Sequence, residues 1–183
     1  MDAVDAYQYL RRRRDQAFSR AAARSFAAFG AGSVIELPIR VDGRAGISIG
    51  AEVHIGRGSW LHVRAPGRLV IGDGCRFSGN CVLSAAASVR LGRRVLLGGN
   101  VYIADCEHGF AGPEPIMDQP LTTIAPVSIG DGAWLAQNVV VLSGVTIGER
   151  AVVGANSVVR DDIPPGAVAV GAPARVVARG SGS

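Results

Sequence analysis

Residues 126–170 read PVSIGDGAWLAQNVVVLSGVTIGERAVVGANSVVRDDIPPGAVAV, and an aliphatic residue returns at every sixth position: Ile129, Leu135, Val141, Ile147, Val153, Val159. A helix repeats near 3.6 residues and a strand every second residue, so neither accounts for a period of six. Four residues after each aliphatic position stands another, mostly small or β-branched: Ala133, Val139, Val145, Ala151, Ser157, Ile163. A turn former or polar residue precedes it: Gly132, Asn138, Gly144, Arg150, Asn156, Asp162. Six residues cannot bury a core alone, so the period requires a solenoid whose successive coils cover each other's apolar edges. With three flat sides of six residues, one coil takes 18, Ile129 stacks on Ile147 and Leu135 on Val153. Strands of neighbouring coils then run parallel about 4.8 Å apart. Gly and Asn fall at the corners, where the chain must adopt left-handed conformations. β-branched residues suit the sides.

The same ruler runs upstream through Ile49, Ile55 and Leu61, slips by four to Ile71, Phe77 and Leu83, then slips by two to Leu91, Leu97 and Ile103. The slips, around Ala65–Arg68 and Ser88–Arg90, are expected to form bulged corners. The fold class is an all-β solenoid over residues 33–178. Residues 1–32 are read as a helical cap, with Tyr9, Leu10, Ala17, Phe18, Ala21, Ala22, Phe26 and Phe29 at helical spacing and Gly30 and Gly32 ending it. Residues 179–183 are read as a flexible tail.

Composition fits this plan. With 183 residues, 48% hydrophobic and only 5% aromatic, the chain makes one domain with an aliphatic core, and the corners account for its 25 glycines. The net charge of +4 is spread among 15 interspersed acidic residues with few aromatics, which argues against a nucleic-acid platform. Cys75, Cys81 and Cys106 are odd in number and lack metal-type spacing, so they are read as reduced thiols of a cytoplasmic protein. Cys75 and Cys81 occupy inward slots. The sequence has no apolar run long enough for a signal peptide or membrane span. Arg11–Arg14 belongs to the cap, or alternatively meets an acidic membrane surface.

The period breaks over residues 109–125, where Gly109, Gly112, Pro113, Pro115 and Pro120 mark an excursion rather than another coil. Long loops on rigid scaffolds commonly carry function. This one departs just after Asp105-Cys106-Glu107-His108, and Glu107 stands where other hexads place a small or apolar residue. A local breach of the rule beside a histidine marks a candidate site. His108 is suited to general-base chemistry near neutral pH, with Asp105, Glu107 or a backbone carbonyl to orient it. His54 and His62 lie outside the inward positions and read as surface histidines.

With Pro126–Leu135, Val141–Gly148 and Val170-Gly171-Ala172-Pro173-Ala174 in view, the sequence resembles the hexapeptide-repeat acyltransferases, specifically the sugar O-acetyltransferase branch that includes galactoside and maltose acetyltransferases. The resemblance covers roughly residues 45–178. It implies a left-handed parallel β-helix, a homotrimer, acetyl-CoA as co-substrate, and active sites in the clefts between protomers. It places the catalytic histidine at His108 and puts Asp105 first as its orienting partner, on the Asp-x-x-His pattern. By the same match Trp134, Gln137, Ala155, Arg160 and Arg175 fall where the family contacts coenzyme A. Small residues at Gly154 and Ala155 let the pantetheine arm lie along the coils, and the arginines suit its phosphates. Ser78, Asn80, Asn100 and Trp134 are the acceptor candidates. Ser78 and Ala86 depart from the galactoside enzymes, so the implied acceptor is a saccharide or lipid-linked sugar of another kind. N-acetylation of an amino sugar is the alternative. The γ-type carbonic anhydrases share this fold but need three histidines about a zinc, and only His108 lies in the relevant region, so no metal is expected. A silent scaffold would need neither the excursion nor His108 and Trp134.

Overall fold

A computed structural model describes residues 2–179, which leaves most of the expected tail outside the described residues. Three sheets form the sides of a prism, parallel throughout except for the last strand of the second, Arg175–Arg179, which pairs antiparallel. The first face has six strands, from Ala28–Phe29 to Thr146–Ile147; the second has eight, from Val34–Ile35 to Arg175–Arg179; the third has six, from Arg40–Asp42 to Val158–Val159. The expected register of 18 holds in the C-terminal coils, where Ile129 pairs with Ile147, Leu135 with Val153 and Val141 with Val159. These side chains and their upstream counterparts are fully buried, and Phe77 is the largest of them. Each buried aliphatic side chain contributes about 1.5–3 kcal/mol relative to exposure.

The corners behave as the sequence suggests. Gly58, Gly74, Gly132, Asn80, Asn100, Asn138 and Asn156 all have positive φ. Between the second and third faces the asparagines also form a ladder: the Asn100 amide donates to Asn138 (3.0 Å) and the Asn138 amide to Asn156 (2.9 Å).

The slips are absorbed at a single corner, between the third and first faces, by longer strands on both sides of it. Trp60–Val63 and Val82–Ala85 lead in, while Arg68–Ile71 and Ser88–Leu91 lead out. Ser88–Arg90 is therefore not a bulge; it pairs in register with Arg68–Val70, and the turn falls just before it at Ala86–Ala87.

The helix runs Ala3–Ala22 and a 3-10 turn follows at Ala23–Ser25, so it stops well short of Gly30. The prism captures the intervening residues: Ala27 N–H donates to Ile47 (2.9 Å), Gly30 N–H to Ile49 (2.8 Å), and Ala28–Phe29 pairs with Ser48–Ile49. The first coil thus begins at Ala28 rather than at residue 33. The helix covers the edge strand Val34–Ile35 through two buried polar side chains. Ser19 Oγ accepts from Ile35 N–H (2.8 Å), and the Asp15 carboxylate accepts from Leu37 N–H (3.3 Å). Arg11 and Arg14 of the basic run reach Glu36 and Asp15. Among the described residues no helix is long and apolar enough to cross a membrane.

The excursion is a small ordered hairpin. Glu107–His108 pairs antiparallel with Leu121–Thr122, and the Gln119 amide donates to the carbonyls of Gly112 (3.2 Å) and Glu114 (2.7 Å). Ala125 N–H returns to the Asp105 carbonyl (2.9 Å), which closes the loop onto the coil it left.

Candidate active site

Under the hairpin, on the third face, lies a pocket of about 350 Å³. Its floor is built from outward positions of successive coils: Trp60, Val82 and Tyr102 form one row, and His62 and Ser84 the next. His108 and Leu121 overhang it from the hairpin. Strand alternation sends Glu107 and His108 to opposite sides of that hairpin, and of the two only His108 lines the pocket.

Asp105 does not orient His108. Its carboxylate is fully buried and accepts three backbone N–H bonds, from Ala86 (2.7 Å), Ala87 (2.8 Å) and Ser88 (2.6 Å). The widened corner leaves three consecutive N–H groups pointing inward, a concavity that binds an anion, and Asp105 fills it. Ala86 lines the pocket, so Asp105 sets the position of the pocket wall.

The remaining expected site residues fall into two groups away from His108. Trp134 stands on the second face, 46% exposed, between its neighbours Leu96 and Val152 on adjacent strands. Ser78, Asn80, Asn100, Gln137, Gly154 and Ala155 follow the second strand positions into the corner toward the third face. At the C-terminal end Arg160 and Arg175 converge on the carboxylate of Asp161, at 3.6 and 3.0 Å. Within one chain, then, the expected coenzyme line and the histidine pocket occupy different sides of the prism.

Trp60, Ser84 and Tyr102 line the pocket with no signal of it in the sequence, and His62, which reads as a surface histidine, lines it too. Trp60, Val82 and Tyr102 become neighbours only when the coils are stacked at 22 and then 20 residues, as the paired registers require. The slips of four and two in the ruler produce these spacings, but outward positions carry no periodic signal that would single the residues out. Asp42 extends the group beneath the pocket. Its carboxylate accepts from the Trp60 indole N–H (2.8 Å) and from Arg40 Nε (3.0 Å), and Arg40 stacks 4.0 Å over the Trp60 ring.

The cysteines are unpaired thiols, Cys75 and Cys81 buried and Cys106 partly so. Burial pushes Cys75 up to about 11, backbone N–H groups only partly opposing it, and raises Cys81 in the same direction. Cys106 is raised by burial and then by the charge of Asp105. All three are therefore protonated near neutral pH, where only the thiolate reacts. A thiol reagent at about pH 7.5 is expected to modify at most Cys106, slowly, in native protein; all three should react once it is unfolded. Rapid native labelling of Cys75 or Cys81 would contradict this. Among the described residues no three His, Cys, Asp or Glu side chains gather as a metal site.

Residues 126–161 match the family described as bacterial transferase hexapeptide (six repeats), and residues 68–104 match the hexapeptide repeat of succinyl-transferase. WbbJ of Escherichia coli K12, named for O-acetyl transfer in lipopolysaccharide biosynthesis, is 30% identical over 151 residues, 79% of this chain and 77% of WbbJ. The chain spans only 44% of the length of an acetyltransferase relative from Mycobacterium tuberculosis. Among solved structures, the hexapeptide-repeat acetyltransferase VCA0836 of Vibrio cholerae, complexed with acetyl coenzyme A, has a TM-score of 0.68 at 28% identity, covering 92% of this chain and 79% of its own. AntD, an N-acyltransferase of Bacillus cereus, has a TM-score of 0.79 at 18% identity, covering 88% of both chains, which speaks to the fold. The hexad period, the three-sided prism and these matches together show that the chain belongs to the hexapeptide-repeat acyltransferase family, the left-handed parallel β-helices.

Proposed function

We propose that this chain transfers an acetyl group from acetyl-CoA to a hydroxyl of a saccharide, with His108 as general base. The observation that carries the reading is His108 overhanging a pocket whose floor offers aromatic surface and hydroxyls, Trp60, Tyr102 and Ser84, as a sugar ring requires. Neutral imidazole takes the proton of the acceptor hydroxyl as its oxygen attacks the thioester carbonyl. The C–S bond then breaks, the imidazolium returns the proton to the leaving thiolate, and ester and free coenzyme A result. Holding both substrates side by side supplies proximity, so no acyl-enzyme is needed.

The separation of Trp134 from His108 supports a homotrimer, in which the second face of one copy meets the pocket of the next. Trp134, Gln137, Gly154 and Ala155 then hold the coenzyme arm, Arg160 and Arg175 meet its phosphates, and Ser78, Asn80 and Asn100 edge the acceptor side. The buried free thiols support a reducing compartment, the cytoplasm. The named role of WbbJ supports an acceptor on the route to a surface polysaccharide, lipid-linked or free.

The test is coenzyme A release from acetyl-CoA across saccharides, amino sugars and nucleotide sugars. The expected outcome is release with hydroxyl acceptors and a base-labile ester product. Turnover confined to amino sugars would convert the reading to N-acetylation. Neither turnover nor acetyl-CoA binding would leave a scaffold.

A further inference from the structure

We infer that His62 is an acceptor-binding residue of the His108 pocket, held in one tautomer by Asp42, so that the site reads a second hydroxyl beside the one acetylated. This rests on the hydroxyl-acetylation reading above and narrows the acceptor to a diol. His62 sits on the regular strand Trp60–Val63 of the prism, one rung from Ser84, whereas His108 rides on the hairpin. Both imidazoles line the same pocket. Nδ1 of His62 is sealed from solvent and makes no hydrogen bond, and the polar group facing it is an Asp42 carboxylate oxygen at 3.6 Å, an electrostatic contact just beyond hydrogen-bond length.

Asp42 is itself fixed. The Trp60 indole N–H, and then Arg40, hold its carboxyl below the usual range, so it stays an anion and an acceptor at neutral pH. An anion facing Nδ1 favours the tautomer with its proton there, since a buried ring nitrogen without its proton would face the carboxylate lone pair to lone pair. Nε2 is then an acceptor, and the partner it suits in the pocket is an O–H. His108 must take the proton of the reacting hydroxyl. A histidine locked as an acceptor is therefore assigned to a neighbouring hydroxyl that stays unacylated, with the Trp60 and Tyr102 rings against the apolar face of the sugar.

The experiment combines variants with substrate analogues in the full-length protein. His62→Ala is expected to lower kcat/KM for the acceptor by about 10- to 100-fold, the usual effect of losing one hydrogen bond that a site is built to make. The KM for acetyl-CoA should not change. His62→Gln, whose amide reaches the place of Nε2, should recover part of the loss, and His62→Asn should not. A mono-deoxy acceptor lacking the read hydroxyl should reduce wild-type activity to the level of His62→Ala, and the variant should not distinguish it from the parent sugar. If His62→Ala matches wild type, or if every deoxy position multiplies with the substitution, the inference is overturned while acetyl transfer stands. If the wild-type protein acetylates no hydroxyl at all, the functional reading falls and this inference with it.

Discussion

His108→Ala is expected to reduce kcat for acetyl transfer by about a thousandfold, within the range for loss of a general base, while acetyl-CoA binds as before. The two readouts separate because the groups lie apart. His108 stands on the two-residue strand Glu107–His108 with its side chain exposed, whereas Trp134, Gln137 and Ala155 belong to the second face and its corner. The substitution removes no core contact, since the buried cluster contains no hairpin residue, so the melting temperature should hold as well. His108→Gln should be as inactive as alanine, because an amide forms hydrogen bonds but does not take up a proton at neutral pH. Coenzyme A release gives the rate and calorimetric titration with acetyl-CoA the binding. Full transfer activity in a variant that still binds the thioester would remove His108 from the mechanism.

Asp105→Ala is expected to cost about 4 kcal/mol of folding stability. The carboxylate accepts from three consecutive backbone N–H groups at 2.6–2.8 Å and is itself 0% exposed. Charge-assisted hydrogen bonds contribute about 1.5–3 kcal/mol each, and a buried donor left unpaired costs about 1–3. The sum is lowered because Ala86–Ser88 is only half-buried and water reaches it once the carboxylate is gone. Asp105→Asn should cost less, about 2 kcal/mol, because one oxygen still accepts while the amide opposes an N–H. Urea unfolding followed by circular dichroism measures both. A loss under about 1 kcal/mol in the alanine variant would show that the corner does not need its anion. Ala86 lines the pocket, so acceptor turnover should fall in the folded fraction even for Asp105→Asn.

These two residues mark how much of the molecule the sequence discloses. The period of six, the 18-residue stacking of the last coils and the corner asparagines follow from side-chain size and left-handed backbone preference, both local properties, and the structure has them where the sequence says. For Asp105 the sequence discloses a special position, while the structure gives its carboxylate backbone partners instead of the histidine. The Asp-x-x-His spacing suggests an orienting pair, but a triple of N–H groups at Ala86–Ser88 is a stronger competitor for the carboxylate, and that triple exists only because one corner is widened. The end of the helix differs from the sequence expectation for a similar reason. Residues 26–29 have apolar spacing that suits a helix, yet Ala28–Phe29 pairs with Ser48–Ile49 instead. Trp60 and Tyr102 leave no mark in the sequence, and His62 reads only as a surface histidine, because outward positions on a solenoid obey no size rule and their neighbours in space lie in other coils.

The helix has a further consequence. A column of stacked coils presents an unpaired rung at each end, and such a rung can template the next column in a fibre. Here the second-face side of the lower rung meets Ser19 and Asp15, side chains that accept from Ile35 and Leu37 N–H without offering a new backbone to pair with. The upper end is crossed by Arg175–Arg179 running antiparallel with an irregular register, which does not repeat the coil pattern. On the second face, then, neither end of the column presents a bare strand edge with the regular coil pattern, so end-to-end pairing along that face is disfavoured.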